Sequence, residues 1–270
     1  MYEASHRHVE PLFDEIKLSA EEIQVRSITI SDLRQCLREG YADFMARPIS
    51  IPFQIAFYFL LALVIFLFAS GQDLRYLAFP IVAGFNLIGP IIAIAFFEMS
   101  RQRELGQPMR WSSAFSFIHT SSFAPILALS IVMMALYVAW LYVAELIFFS
   151  LFGDNLPVSL SAFINELFST RHGGALIVYG NFTGFLFACA ALAISVVAFP
   201  LALDKPVTSF TAISVSIRAF SRNFYVMAAW GLMVVAIVAL GAALFLIGLA
   251  VALPVLGHAT WHLYRKLVVQ

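Results

Sequence analysis

Residues 224–264 run for 41 positions without a single Asp, Glu, Lys or Arg. As one helix at 1.5 Å per residue the stretch would reach about 60 Å, about twice the ~30 Å hydrocarbon thickness of a bilayer. It must therefore fold back, and the turn is expected near Gly241 to Phe245. The rest of the chain shares this character: of 270 residues 61% are hydrophobic and 12% charged, where soluble domains carry about 45–50% and about 25%. An ordinary soluble domain is excluded, and the fold class is an all-α membrane protein.

Uninterrupted apolar runs predict six transmembrane helices, at about 50–70, 77–99, 122–148, 175–200, 224–242 and 245–264. Short basic loops are retained on the cytoplasmic side, so the connecting segments fix orientation. Arg7, Lys17, Arg26, Arg34, Arg38, Arg47, Arg101, Arg103, Arg110, Lys205, Arg218, Arg222, Arg265 and Lys266 fall on one side, and only Arg75 and Arg171 on the other. This split predicts both termini in the cytoplasm and an even number of spans. Trp111, Trp261 and Tyr264 then lie at the inner interface and Tyr137, Trp140 and Tyr142 toward the outer one, where amphipathic rings are enriched.

Net charge is zero, with 16 basic and 16 acidic side chains. A nucleic-acid partner, which needs a concentrated basic face, is not expected. Cys36 and Cys189 show no metal-type spacing, and a structural disulfide between them is not expected. The first 48 residues are polar, carry nine acids and lack the short apolar core of a signal peptide, so they read as a cytoplasmic segment, with 1–30 as a tail.

Residues 31–268 read as three repeat units, about 31–105, 106–203 and 204–268, each a cytoplasmic amphipathic helix followed by a transmembrane hairpin. In the first unit Leu33, Cys36, Leu37, Tyr41, Phe44 and Met45 form one apolar stripe, with Ser31 as an N-cap. The second unit uses Trp111, Ala114, Phe115 and Ile118, and the third Phe210, Ile213, Ile217 and Phe220. Pro108, Ser113, Ala114 and Ser116 recur 98 residues later as Pro206, Thr211, Ala212 and Ser214. Pro90 and Arg101 recur 164 residues later as Pro254 and Arg265, with Glu98 replaced by His262. Such helices can lie in the headgroup plane through their apolar face alone, without a ligand.

An ionisable group inside the bilayer costs about 2.5–3.5 kcal/mol on insertion scales, so each needs a partner. Glu98 ends the second span beside Arg101, and Asp204 ends the fourth beside Lys205; both read as interface anchors. Asn86 stands four residues before Pro90, which cannot donate the helical bond to its carbonyl, so a kink is expected there. Gly180 and Gly184 bracket Asn181 in a GxxxG pattern expected to allow close helix contact. His258 and His262, at i and i+4, put two imidazoles on one helix face, the spacing used to hold a metal ion. Two ligands are not a site. His119, Glu98 or Met99 would have to complete it, and Ala259 stands where an HExxH protease has its glutamate. Asn86, Glu98, Arg101, Asn181, Asp204 and His258 thus form a candidate polar or solute site, and His258 with His262 a candidate metal pair.

The stretches SVVAFPLALDKPV, VMAAWGL, LPVLGHATWHLYRKLV and VAGFNLIGPIIAIAFFEMSRQRELGQPM resemble a family of bacterial integral membrane proteins catalogued as a domain of unknown function. GHATWHLYR is the most specific of these. The chain departs from the family pattern after the amphipathic helices, with Phe224 following Asn223, and Phe123 and Ala124 preceding Pro125. The resemblance implies a six-span inner-membrane protein and supplies no catalytic residue. No P-loop, nucleophile elbow, dinucleotide turn or intramembrane acid pair is present in the sequence. The expected function is non-enzymatic: an accessory, assembly or scaffold component in the lipid bilayer, with membrane-protein partners or self-association and no cofactor. The alternatives are a small-solute or ion transporter and a metal- or haem-binding protein of respiratory type.

Overall fold

The computed structural model describes residues 17–46, 77–84, 87, 89–108, 116–153, 160–243 and 248–269, and their regular structure is helical. In chain order the helices are α1 (Ile30–Ala46), α2 (Ala78–Gly84), α3 (Gly89–Glu104), a short 3-10 turn (Ser116–His119), α4 (Phe123–Phe152), α5 (Leu160–Ser169), α6 (Arg171–Ser195), α7 (Ala198–Asp204), α8 (Ser209–Arg222), α9 (Phe224–Ala243) and α10 (Leu249–Leu267). Among the described residues, three helical stretches are long and apolar enough to cross a membrane: Phe123–Phe152, the α6–α7 stretch Arg171–Asp204, and Phe224–Ala243. The expected first span at 50–70 lies outside the described residues, as do Asn86 and Trp111, Ala114 and Phe115.

Proline shapes three of these helices differently. Within the run expected as one span at 77–99, Leu87 is in a turn, its amide bonded to the Gly84 carbonyl at 2.9 Å, and α3 begins at Gly89 beside Pro90. The run expected at 175–200 breaks at Val196 and Val197, just ahead of Pro200, and the Val197 amide turns to the buried Ser216 hydroxyl of α8 at 3.2 Å. Pro removes one helical donor, and an interrupted helix survives in a nonpolar setting only if a neighbour supplies the missing partner. Pro254 stays inside a continuous α10. Between α9 and α10 the chain reverses, and Gly241 meets Gly248 so closely that a Cβ on Gly248 would lie 2.7 Å from the Gly241 Cα.

The core lies where the ends of α3, α7 and α10 meet. Phe97, Phe199, Leu201, Trp261, Leu263 and Tyr264 are among its fully buried side chains. α1 lies against α10 in antiparallel sense: Asp32 pairs with Lys266, Gly40 touches Ala259, and Asp43 reaches His258. Gly40 is required there, because a Cβ would sit 2.5 Å from the Ala259 nitrogen. The segment 17–29 laces this end of the molecule together. Leu18 bonds the Pro206 carbonyl, Arg26 the Leu267 carbonyl, and Asn223 bridges Ile28 and Arg26.

Several local expectations change. The cap of α1 is Thr29 rather than Ser31: the Asp32 carboxylate reaches back to the Thr29 amide at 2.8 Å, the return half of a capping box. Its buried face is Leu33, Cys36, Gly40, Asp43 and Phe44, while Tyr41 and Met45 point outward. On α8 the small side of the helix is buried, with Thr211, Ala212, Val215, Ser216 and Ala219, while Phe210 and Ile217 of the large apolar stripe are exposed. Small side chains allow the closer approach to α6 and α7, so they win the packed face. Between the spans expected at 122–148 and 175–200 lies α5, which Thr170 separates from α6 by capping the Gly173 amide at 2.9 Å. The GxxxG pair divides: a Cβ on Gly180 would meet nothing within 4 Å, whereas one on Gly184 would lie 3.1 Å from the Trp140 ring of α4. A Cβ would meet its neighbours most closely at Gly84, against the Tyr137 ring, at Gly173, against the Glu166 carbonyl, and at Gly40.

Candidate functional site

Helical spacing assembles a polar cluster at the α1–α3–α10 contact. Asp43 follows Cys36 by seven residues and Gly40 by three, so it falls on the face of α1 that the glycine draws against α10. His258 and His262 stand one turn apart on α10, and Ser100 and Arg103 three apart on α3. Their side chains meet. Ser100 Oγ donates to Asp43 Oδ2 at 2.5 Å and lies 2.8 Å from His258 Nδ1. His262 Nε2 lies 2.8 Å from Asp43 Oδ2, and its Nδ1 is 3.4 Å from the Glu39 carboxylate. Arg103 pairs with Asp43 Oδ1. Glu39, His262, Asp43, Ser100 and His258 thus form one connected series, running from a half-buried rim to a buried end.

Burial alone would raise the pKa of Asp43, but the bonds from His262, Ser100 and Arg103 more than offset it and hold the group below its ordinary value. Asp43 is therefore the anionic centre of the cluster. Ser100 has one hydroxyl proton, and Asp43 takes it. The Ser100–His258 bond must then run from Nδ1–H to the serine oxygen, a tautomer assigned from the network. A nucleophilic serine needs the reverse, an imidazole accepting its proton. Asp43, Ser100 and His258 carry the residue types of a hydrolase triad, with the serine proton directed to the carboxylate rather than to the imidazole.

A second network adjoins the first. Glu98, only 2% exposed, accepts from Arg101 at 2.8 and 3.1 Å and from the Gln102 amide at 3.0 Å. The bond from Glu98 raises the Arg101 pKa, with Asp204 adding to the field. Asp204 accepts from the Tyr264 hydroxyl at 2.6 Å and lies 3.5 Å from Arg265. Arg265 also pairs with Glu104, which accepts from the Trp261 ring nitrogen at 3.1 Å. Among the described residues no buried side-chain nitrogen or oxygen is without a hydrogen-bond partner. Nor do three or more His, Cys, Asp or Glu side chains there gather in a way that could hold a metal ion.

Of the residues the sequence points to, Glu98, Arg101, Asp204, His258 and His262 converge on these two networks. Asn181 does not: it is exposed on α6, and its amide bonds the Ile177 carbonyl of its own helix at 2.8 Å. Asn86 lies outside the described residues. Sequence reasoning missed Asp43, Ser100, Arg103 and Glu39. The available signal was Asp43 itself, a carboxylate seven residues after Cys36 on the stripe that also carries Leu33 and Phe44.

No curated protein and no solved structure matches the chain. Residues 78–204 match the model of a family described as predicted integral membrane protein (DUF2189). Glu98, Ser100, Arg101, Arg103 and Asp204 lie inside that segment, while Asp43, His258, His262 and the GHATWHLYR stretch lie beyond it. With its apolar helices, the chain is an integral membrane protein whose segment 78–204 is similar to that family.

Proposed function

We propose that the protein is a six-span inner-membrane component with both termini cytoplasmic, built as three hairpins, and that it acts without catalysis as an accessory, assembly or scaffold subunit of a larger membrane complex. One observation carries this reading. The buried polar side chains satisfy one another, so the cluster reads as a clasp that fixes α1 and the 17–29 segment into a rigid surface rather than as a receptor for a ligand. A buried polar network whose members are all paired specifies one arrangement of the elements it joins. The side of the molecule formed by 17–29, α8 and the end of α10 is the docking face, and partner membrane proteins or further copies of the chain are its occupants. The test is extraction from the native membrane in mild detergent, followed by native electrophoresis and mass spectrometry. Co-migration with defined protein partners or as an oligomer is expected, and a partner-free monomer in several detergents overturns the proposal.

A second reading, a small-solute or ion transporter, is favoured by the connected series from Glu39 to His258, which offers titratable groups at successive depths. It requires a polar route continuing beyond His258 toward Asn86. Proteoliposome flux that falls in His258→Ala and Asn86→Leu supports it, and unchanged or absent flux removes it. The metal or haem reading is the weakest of the three, because Ser100 and Asp43 already engage His258 Nδ1 and His262 Nε2. Elemental analysis and an absorption spectrum of natively purified protein decide that case.

A further inference from the structure

The outward face of α1 is unlike the buried one. Ile30, Tyr41 and Met45 are about half exposed, and Leu37 is half-buried beside them. Arg34 and Arg38 share this side at helical spacing, are exposed, and have no hydrogen-bond or ion-pair partner among the described residues. The acids of the helix are engaged elsewhere, Asp32 with Lys266, Glu39 with Gln35 and His262, and Asp43 in the cluster. Among the described residues, therefore, two guanidinium groups flank an apolar strip with no acid to neutralise them.

The antiparallel pairing with α10 orders these residues by depth. Asp32 is level with Lys266 at the basic end of α10, and Asp43 is level with His258. Arg34 and Arg38 thus lie toward the basic end, and Tyr41 and Met45 farther in. From Arg34 to Met45 is 11 residues, about 16 Å of helix, close to half the ~30 Å hydrocarbon thickness. Only residues 47–49 separate Ala46 from the span expected at about 50–70. Charge at one end, apolar bulk at the other and a span following directly match the profile of one phospholipid, and the cytoplasmic leaflet is anionic.

We propose that this face of α1 seats an anionic phospholipid of the cytoplasmic leaflet, with its phosphate on Arg34 and Arg38 and its acyl chains against Tyr41 and Met45. The proposal rests on the six-span reading, and its test keeps the two separable. Full-length protein is placed in nanodiscs of phosphatidylcholine and phosphatidylglycerol, with spin labels at Tyr41→Cys, Met45→Cys, Ala42→Cys or Val138→Cys in a Cys189→Ala background. Cys36 is buried and its thiol, pushed up to about 12 by that burial, does not take the label. Labels at 41 and 45 are expected to be relaxed by oxygen, and the label at 42, on the polar side, by a water-soluble nickel complex. Native mass spectrometry of Arg34→Gln and Arg38→Gln should show retained phosphatidylglycerol reduced about fivefold for each, the equivalent of about 1 kcal/mol per basic residue at an anionic surface. Water-exposed labels at 41 and 45, labels there reached by neither reagent because protein covers them, or undiminished phosphatidylglycerol in the arginine variants overturns the proposal. A water-exposed label at Val138, on exposed α4, would remove the membrane reading beneath it as well.

Discussion

The end of the molecule where α1, α3, α7 and α10 meet and the part built from α4 and α9 obey different rules. At the first, the interior is dense and mixed: Phe97, Trp261 and Tyr264 pack beside Asp43, Glu98, Ser100 and His258, and every one of these is buried. Along α4 and α9 only 22% and 17% of the most apolar window is buried within the protein, and large side chains such as Ile131, Val138, Leu232 and Val235 face outward. An apolar solvent explains the second region, because lipid tails take the place of a protein core. The first region needs specific partners, because an unpaired polar group away from water costs more than any contact it replaces. Architecture in one half is held by composition, and in the other by a few named bonds.

If that contrast is right, substitutions in the clasp should cost far more than those on the outward faces. Asp43→Ala strands Arg103, His262 and Ser100 at once. Breaking a buried pair costs about 3–5 kcal/mol; with Arg103 partly exposed, the expected loss is about 2–3 kcal/mol, read from reversible unfolding by dodecyl sulfate in mixed micelles. Next comes Gly40→Ala, whose new Cβ meets the Ala259 backbone at 2.5 Å and pushes α1 away from α10. About 1–3 kcal/mol is expected, against no measurable loss for Gly180→Ala, where a Cβ meets nothing. Equal effects at the two glycines would erase the distinction between the regions.

Acid supplies a gentler probe. The folded pKa of Asp43 lies below its unfolded value of about 3.9, so its contribution is present above that value and is lost as pH falls through the folded one. Unfolding titrations from about pH 5 down to about pH 2 should show this loss in the wild type and less of it in Asp43→Asn. The smallest effect belongs to Asn181→Leu. Its amide bonds only its own helix, and a change within about 0.5 kcal/mol is expected in thermal unfolding. A loss above about 1 kcal/mol would mean that Asn181 has a partner outside this chain.

Much of this was legible in the amino acids, for identifiable reasons. Apolar runs forecast α4, α6 and α9 closely, because a span depends on composition summed over about twenty residues. Pro200 sits just after a break in its helix, and Pro90 stands at the start of α3. Where the reading went astray, the deciding term was tertiary. Tyr41 and Met45 belong to a period-matched stripe, yet Gly40 turns the helix so that Asp43 takes the packed face. Phe210 and Ile217 are displaced on α8 by the smaller Ala212 and Ala219. His258 and His262 were visible as a pair, but nothing in their spacing could name Ser100 and Asp43 as partners, which lie 158 and 219 residues away along the chain.

The most direct test of the clasp is a double-mutant cycle between Asp43 and His262. Asp43→Asn, His262→Phe and the combined variant are each unfolded reversibly in mixed micelles and compared with the wild type. Contacting residues in one network couple by about 0.5–3 kcal/mol, and a coupling of about 1 kcal/mol or more, with the double variant less destabilised than the sum of the singles, is the predicted result. Additive losses, or wild-type stability in all three variants, would contradict the account.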